Sequence, residues 1–501
     1  MDSIEEKYEQ IMRKQGKDGC ARFTYIVFTV FILQGIYWGY MFYSLSFMEL
    51  MPQFICPGWT TDCTTEQICQ GKTQPQVSYE INYNNNTSLH NWVESQDLVC
   101  TRSSVIGLIG SSYFMGWCLT CLIVPPLADK YGRKWITRIG VLMQVIPQII
   151  IAFSTSVTLT IAMVFVAGMG CSGRQIVGYV YGQEFLVGKQ KVWYGTLYMM
   201  FDGMSVPLSG IFFGYICKYV IYWEMVGIVI GILAIIGSWL FIPESPLWQL
   251  KMGYVTQAQL TLTKISELNG ADCEQDIAAL ETIRTRLNLT DTNEMAQIPE
   301  DEQELLGTTS EKKEESTLYF LKQPVIFKNL MVMSYLWAAC SFTYYMIAIY
   351  VKYLPGSIFV NTMASGFSEM IAYVAGGVIY ARLGIKKTTT LLFTGSAAGG
   401  LMIMFLSGQS DLVISVFVII AKFGISGVFT ILYVCNGEVF PTMFAASALG
   451  ITNFTSRFIT IFSAEIAEVQ PPIPMILFTS LSLLGAFLVW FLKTNDEKTK
   501  E

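Results

Sequence analysis

Apolar runs of about twenty residues recur twelve times along this chain of 501 residues. Each is long enough to cross the ~30 Å hydrocarbon core of a bilayer as an α-helix. Charged residues make up only 14% of the chain, whereas about a quarter is usual in a soluble domain. The sequence therefore predicts an all-α polytopic membrane protein with 12 transmembrane helices in two pseudo-symmetric six-helix halves. The predicted spans are residues 23–45, 105–124, 135–154, 157–181, 192–216, 222–242, 325–350, 355–380, 388–407, 411–435, 443–465 and 472–492.

A dense group of charges at Pro125–Arg138 sets the predicted topology. Asp129, Arg133 and Lys134 lie here between two apolar runs, and a charge at the bilayer centre costs about 2.5 to 3.5 kcal/mol on insertion scales. Because basic residues collect on the cytosolic side, we place this loop inside. Counting from it gives these segments: a cytosolic tail at 1–22, a first half at 23–246 with an extracytosolic loop at 46–104, a cytosolic linker at 247–324, a second half at 325–492 and a cytosolic tail at 493–501.

The extracytosolic loop has the features of a segment in an oxidising compartment. Two overlapping N-x-S/T sequons begin at Asn85 and Asn86, which are candidate glycosylation sites. Two disulfide bridges are predicted, with the pairing left open, among four cysteines: Cys56, Cys63, Cys69 and Cys100.

The linker accounts for the net charge of −6, because 14 acidic residues face 7 basic ones within it. Such a run is usually a solvated segment, and we expect no nucleic-acid partner. An amphipathic helix under the bundle is predicted from apolar residues at helical spacing: Ile277, Leu280, Ile283 and Leu287. The sequence has no nucleotide-binding or metal-ligand spacing and no Ser/His constellation. We therefore expect no cofactor, no bound metal and no enzymatic activity.

The basic loop also resembles a known family. Leu127-Ala-Asp-Lys-Tyr-Gly-Arg-Lys134 is similar to G-x-L-A-D-R/K-x-G-R-R/K, which joins the second and third helices of major facilitator superfamily transporters, although Pro125 replaces its first glycine. The equivalent joint of the second half, Arg382-Leu-Gly-Ile-Lys-Lys387, repeats the glycine and the bases without the aspartate. The resemblance implies the major facilitator fold, with a substrate site near the midplane between the halves.

Further stretches resemble one branch of that superfamily, the organic cation, anion and zwitterion transporters. The cysteine-bearing outer loop is typical of this branch, and it ends in Gln96-Asp-Leu-Val-Cys100, which is similar to W-N-L-V-C. Pro243-Glu-Ser-Pro-Leu-Trp248 resembles P-E-S-P-R-W with leucine in place of arginine. Phe342-Thr-Tyr-Tyr345 resembles F-A-Y-Y, and residues 433–442 resemble Y-T-G-E-L-Y-P-T with two extra residues before the glycine.

Ionisable residues inside apolar spans are candidate functional groups, because they are costly there unless they face the interior of the bundle. Arg457 aligns with an arginine of the anion and zwitterion transporters, and its guanidinium offers a planar fork for a carboxylate or sulfonate. The alternative is a structural salt bridge with Glu465 or Glu468. Lys422 is a second candidate cation, and its alternative role is to balance Glu369, which could also bind a substrate ammonium.

Tyrosines complete the predicted substrate site. Tyr373 takes the place of a lysine found in the anion transporters, so the resemblance implies one anion-binding charge fewer. Together with Arg457, Lys422 and Glu369 this mixture favours a zwitterion or a weak organic anion. Aromatic faces and hydroxyls that can hold flat or quaternary-ammonium ligands are expected from three further residues: Tyr37, Tyr344 and Tyr345.

Charges at the inner face are predicted to form a gate. The resemblance implies ion pairs that close the inner side while the outer side is open and break when the halves rock; the alternative is that the charges only set topology. The gating candidates are Asp129, Arg133, Lys134, Glu184, Glu244, Arg382 and Glu438. Arg174 and Asp202, in the fourth and fifth spans, are predicted to form a structural ion pair.

The sequence thus predicts a secondary transporter that moves small organic ions, with anions or zwitterions favoured, by alternating access. Two alternatives stay open: a proton-coupled sugar or metabolite porter of the same fold, and a transport-dead relative that serves as a subunit of a membrane assembly. We expect a multi-pass protein of the plasma membrane, with an internal membrane as the alternative. The expected partners are the lipid bilayer and a small organic ion, and protein partners are left open.

Overall fold

The long helices of the chain carry their apolar side chains outward. The structure is a computed structural model that describes residues 2–15, 21–57, 62–280, 320–354, 357–405, 411–440 and 442–493. Ten helical segments in this part of the chain have the length and composition to cross a membrane. Large side chains such as Leu119 and Phe241 lie exposed on their outer surfaces, as expected of helices whose solvent is lipid.

The first half contains six long helices. They are α1 (Arg22–Phe42), α2 (Ser103–Cys121), α3 (Arg133–Ala152), α4 (Val157–Glu184), α5 (Lys189–Ile211) and α6 (Val220–Phe241). α4 contains a π-helical segment at Ser172–Val177, and α5 continues into another at Phe212–Ile216. The predicted spans differ from these bounds by a few residues at their ends.

The second half begins with α7 (Pro324–Tyr350), which ends in a 3-10 turn at Val351–Tyr353. Ile358–Phe405 is hydrogen-bonded as one helix of 48 residues. At about 1.5 Å per residue it would be about 72 Å long, more than twice the hydrocarbon thickness. Gly384 has non-helical angles, so the segment forms two spans, α8 (358–383) and α9 (385–405).

Three more helices complete this half. They are α10 (Asp411–Val439), α11 (Thr442–Ala467) and α12 (Ile473–Leu488), the last followed by a 3-10 turn at Val489–Phe491. The described residues therefore contain twelve long helices in two blocks of six. The all-α fold predicted from the sequence is confirmed.

Matching tight turns join the second and third helices of each half. Gly132 has a φ of 103°, and a Cβ there would lie 2.4 Å from Glu244 Oε2. Only glycine fits that backbone angle and that close approach. Gly384 turns the chain between α8 and α9 with a φ of 72°. The two glycines picked out from the sequence thus lie at equivalent joints.

The outer loop forms a small folded unit on the first half. It contains short helices at Leu45–Met48, Thr65–Cys69 and Trp92–Ser95, and an antiparallel pair of strands, β1 (Phe54–Ile55) and β2 (Glu80–Ile81). The two predicted disulfides are confirmed, and they join Cys56 to Cys63 and Cys69 to Cys100.

This unit is fixed to the α5–α6 connection by one residue in particular. The ring of His90 lies between Tyr83 and Tyr219, at centroid distances of 4.0 and 4.2 Å. The amide of His90 donates to Lys218 O, and the amide of Val220 donates to His90 O, each at 3.0 Å. His90 therefore holds the loop on the first half.

Short helices form a layer at the inner face. They lie at Asp2–Lys14, Val124–Tyr131, Pro246–Lys251, Val255–Asn269 and residues 274–280. Tyr8 and Ile11 of the first of these, which belongs to the predicted cytosolic tail, are buried in one cluster with Val255 and Ile277. Of the predicted amphipathic helix, Ile277 and Leu280 are buried, while Ile283 and Leu287 lie outside the described residues.

The two halves meet along two pairs of helices, α2 with α11 and α5 with α8. Small residues allow the close approach. A Cβ on Gly110 would lie 2.7 Å from Ala464 Cβ, and one on Gly366 would lie 2.2 Å from Pro207 Cδ. The interior between these two seams contains the charged residues predicted from the sequence.

Candidate functional site

A buried ion pair joins α8 and α10. Lys422 Nζ lies 3.4 Å from Glu369 Oε2, and the two side chains are 1% and 0% exposed. Glu369 Oε1 accepts hydrogen bonds from the hydroxyls of Tyr344 and Tyr373. The centroid of the Tyr344 ring lies 3.4 Å from Lys422 Nζ, and the Tyr344 hydroxyl shares a 2.7 Å hydrogen bond with that of Tyr43, which directly follows α1. Lys422 thus balances Glu369, as the sequence reasoning had considered.

Arg457 lies on α11 at the seam with α2. Its guanidinium stacks on Trp117 of the first half, with 3.7 Å between Cζ and the ring centroid. Nη1 donates to Ser341 Oγ at 3.2 Å and to the Tyr345 hydroxyl at 3.4 Å. The side chain is 3% exposed, and no described carboxylate lies within 4 Å of it. Neither considered salt bridge is formed, and Glu468 pairs elsewhere.

Arg174 and Asp202 do not form the direct ion pair predicted for them. Arg174 lies in the π-helical segment of α4 and donates to the backbone oxygen of Gln34 at 2.9 Å. Asp202 lies on α5. Its charge interacts with that of Arg174 on α4, and across the interface between the halves with the charges of Glu369 and Lys422. Its buried Oδ1 has no hydrogen-bonding partner in the described part of the chain. Asp202 therefore belongs to the central charged group.

Tyr37 lies apart from these residues. Its ring packs with Val141 and Val145 in the core of the first half. Tyr43, which directly follows α1, is linked to the ion pair through the Tyr344 hydroxyl, and sequence reasoning missed it. Six residues turn a helix by about 600°, or 240° beyond one full turn, so the two tyrosines face different sides.

An ion triad at the outer ends of the helices was also missed. Lys352 Nζ lies 3.0 Å from Glu49 Oε2 and 2.7 Å from Glu468 Oε1, with all three side chains at most 3% exposed. The Tyr353 hydroxyl donates to Glu468 Oε2 at 2.6 Å. Glu49 follows α1, whereas the other residues belong to the second half. Among ion pairs with both partners described, Lys352–Glu49 is the one that joins the halves.

The inner-face residues of the first half form one network. Arg133 Nη1 donates to Asp129 Oδ1 at 2.5 Å, and its Nε donates to Glu184 Oε1 at 3.3 Å. Glu244 Oε1 accepts from the backbone amides of Arg133 and Lys134 at 3.0 and 3.1 Å, so it caps the start of α3. The ammonium of Lys134 lies 5.9 Å from the ring of Trp135, on the same helix.

The second-half members of the predicted gate are not brought into this network. Arg382 is exposed at the inner end of α8, and no described carboxylate pairs with it. The side chain of Glu438 lies outside the described part. The gating role of all these residues stays a prediction.

The two sequons differ in accessibility. Asn86 is exposed, whereas Asn85 is half-buried and donates from Nδ2 to Gln53 Oε1 at 2.6 Å. Glycosylation stays a prediction. Within the described residues, no group of three or more His, Cys, Asp or Glu could hold a metal ion.

Comparisons with known proteins agree with the fold. A partially occluded, inward-open structure of the xylose transporter XylE from E. coli aligns with a TM-score of 0.63, at 13% identity over 95% of this chain and 99% of that one. A D-xylose-proton symporter aligns with a TM-score of 0.60 at 12% identity, over 94% of this chain and 98% of that one. At such low identity these structures support the fold alone.

Curated relatives agree with the branch that the motifs resemble. "Organic cation/carnitine transporter 2" of Homo sapiens is 27% identical over 80% of this chain and 68% of its own length. "Solute carrier family 22 member 21" of Mus musculus is 26% identical over 82% and 70%. "Organic anion transporter 3" of Oryctolagus cuniculus is 23% identical over 84% and 74%.

The family model that matches covers residues 77–464 and is described as Major Facilitator Superfamily. This range includes the outer loop from β2 onward, both inner joints, the Lys422–Glu369 pair and Arg457. With twelve long helices in two halves, the chain is an integral multi-pass membrane protein and a secondary transporter. It belongs to the Major Facilitator Superfamily.

Proposed function

We propose that this transporter moves small organic anions or zwitterions. The observation that carries the proposal is the buried guanidinium of Arg457, which has no carboxylate partner among the described residues. Burying an ion without a partner costs several kcal/mol, so an anionic group supplied by the substrate would stabilise this site. Because Arg457 stacks on Trp117 of the first half, a substrate bound beside the two residues would contact both halves.

The names of the relatives include this substrate class beside organic cations, so the choice between them rests on the site. Two of the similar proteins are named for organic cations and carnitine and for organic anions. Carnitine joins a carboxylate to a quaternary ammonium, and the central group here offers a cation at Arg457 and a carboxylate with tyrosines at Glu369. An organic cation with no anionic group would leave Arg457 unpaired. The plasma membrane is the proposed location.

During alternating access, the charged residues at the outer and inner faces would close the two sides in turn. The Lys352–Glu49 pair holds the outer ends of the halves together, whereas the described inner ion pairs of Arg133 lie within the first half. This distribution fits a conformation that is closed on the outer side. Substrate gradients would drive the exchange between the outward- and inward-facing forms.

The test is uptake by proteoliposomes given labelled organic anions, cations and carnitine-like zwitterions. Arg457→Ala should lower saturable anion or zwitterion uptake about 30- to 150-fold, since a charge-assisted interaction is worth about 2 to 3 kcal/mol. Arg102→Ala, which removes an exposed arginine just before α2, is the matched control and should transport normally.

Each other outcome selects a different function. Cation uptake that survives Arg457→Ala would refute the charge argument. Sugar uptake abolished by a protonophore would identify a proton-coupled porter. Folded protein that transports nothing would favour a subunit of a membrane assembly.

A further inference from the structure

The ammonium of Lys422 lies in surroundings that would suit a bound organic cation. It stands 3.4 Å from the centroid of the Tyr344 ring, well inside the ~6 Å range of cation–π attraction. Glu369 supplies the opposite charge at 3.4 Å. An aromatic face beside a carboxylate is the combination by which proteins recognise alkylammonium groups.

The lysine is held loosely in this position. Charge-assisted N–H···O bonds are usually about 2.7 to 2.9 Å long, and the distance here is 3.4 Å. Within the described residues neither Lys422 Nζ nor Glu369 Oε2 has a hydrogen-bonding partner. The buried Lys352 differs, because its two carboxylate contacts are 2.7 and 3.0 Å long.

The carboxylate, in contrast, is held independently of the lysine. Its Oε1 accepts from two hydroxyls, those of Tyr344 and Tyr373, so Glu369 keeps its position if the lysine moves away. A cavity adjoins the Lys422 side chain on the outer side, lined by Tyr43, Ser46 and Thr362 among others. The cavity is about 10 Å³ in volume, room for about one water molecule, so an incoming ammonium group would occupy the place that the lysine vacates.

We infer that Lys422 is a tethered occupant of an alkylammonium site formed by Glu369 and Tyr344, from which a substrate's ammonium group displaces it. The site itself takes primary to quaternary ammonium groups. Its use for the cationic end of a zwitterion held at Arg457 rests on the proposed function. An internal cation of this kind keeps Glu369 paired when substrate is absent and lowers the affinity for external cations.

The test is chemical rescue of a variant that lacks the tethered cation. Lys422→Gln should be less heat-stable than wild type in detergent, because it leaves Glu369 buried without a cation. Tetramethylammonium or methylammonium chloride should restore the melting temperature, and sodium chloride at equal ionic strength should not. Equilibrium dialysis should show labelled tetramethylammonium binding at least tenfold more tightly to this variant than to wild type.

Two further variants make the result specific. Adding Glu369→Gln to Lys422→Gln should abolish the binding, whereas adding Arg457→Ala should leave it intact, so this test does not depend on anion transport. If Lys422→Gln does not fold, Lys422→Met takes its place. That variant is purified in tetramethylammonium, which is then removed by dialysis. Equal affinity in variant and wild type, or binding that survives the loss of Glu369, would overturn the inference.

Discussion

Removing Lys352 should open the outer side of the transporter. The lysine pairs with Glu49 of the first half and with Glu468 of the second, and all three side chains are nearly inaccessible. In Lys352→Gln, two buried carboxylates would lose their shared cation and repel each other. Breaking a buried pair by removing one partner costs about 3 to 5 kcal/mol.

This loss of free energy destabilises the outward-closed state, because water reaches the carboxylates once the halves separate. Taking about 3 kcal/mol as the shift, the ratio of open to closed protein should rise about 10²-fold, since 1.4 kcal/mol is a factor of ten. Ser46, which is 1% exposed and lines the cavity below the triad, offers a reporter position. A cysteine there should react with a membrane-impermeant maleimide about 10²-fold faster in Lys352→Gln than in the parent.

The matched control is Lys218→Gln. Lys218 is also a lysine at the outer face, but it donates to the backbone oxygens of Tyr83 and Asn85 within the first half. It should leave the labelling rate unchanged. A labelling rate in folded Lys352→Gln within twofold of the parent would refute the assignment of the triad as the outer lock.

Two other outcomes follow from the same region. Burial raises the pKa of Glu49 to about 7, against the pairing with Lys352 that lowers it; in the open state we expect a value near its ordinary 4.5. The closed state thus binds the proton more readily, so closure should be strongest below about pH 4.5 and weaken as the outer pH rises through 7. The same labelling measures this pH dependence, which should be absent in Glu49→Gln. Loss of the Cys69–Cys100 bridge, which closes 31 residues, should destabilise the outer loop by about 4 kcal/mol, against about 2 for the 7-residue Cys56–Cys63 bridge; equal shifts in melting temperature for the two pairs of Cys→Ser changes would contradict this.

The fold was predictable because the free-energy cost of placing polar groups in hydrocarbon leaves few possible structures. Helices crossing hydrocarbon must be apolar and about 20 residues long, so the spans and the joints at Gly132 and Gly384 can be read directly from the sequence. The single hydrogen-bonded segment Ile358–Phe405 corresponds to two predicted spans for the same reason.

The sequence predicted the charged residues of the site better than it predicted which of them form ion pairs. Lys422, Glu369 and Arg457 are conspicuous because ionisable groups inside spans are rare. Which of them pair depends on helix rotation, and the sequence left this open for Lys422 and misjudged it for Arg174 and Asp202.

The outer triad gave no such signal. Glu49 and Lys352 lie 303 residues apart, at helix ends where charges are ordinary. Their pairing depends on how the two halves close, which no local pattern encodes. The same reason applies to Tyr43, whose contact with Tyr344 comes from the opposite half.

Because the outer loop is attached to the first half through His90, a label on this loop should report movements of that half from the outer side of the membrane. Because the His90 ring lies between Tyr83 and Tyr219, we expect the loop to move with the first half as one rigid body. A fluorophore on exposed Asn84 and another on the outer turn of the second half would change their energy transfer with every opening. Substrate turnover could then be followed optically in intact cells, without a labelled substrate.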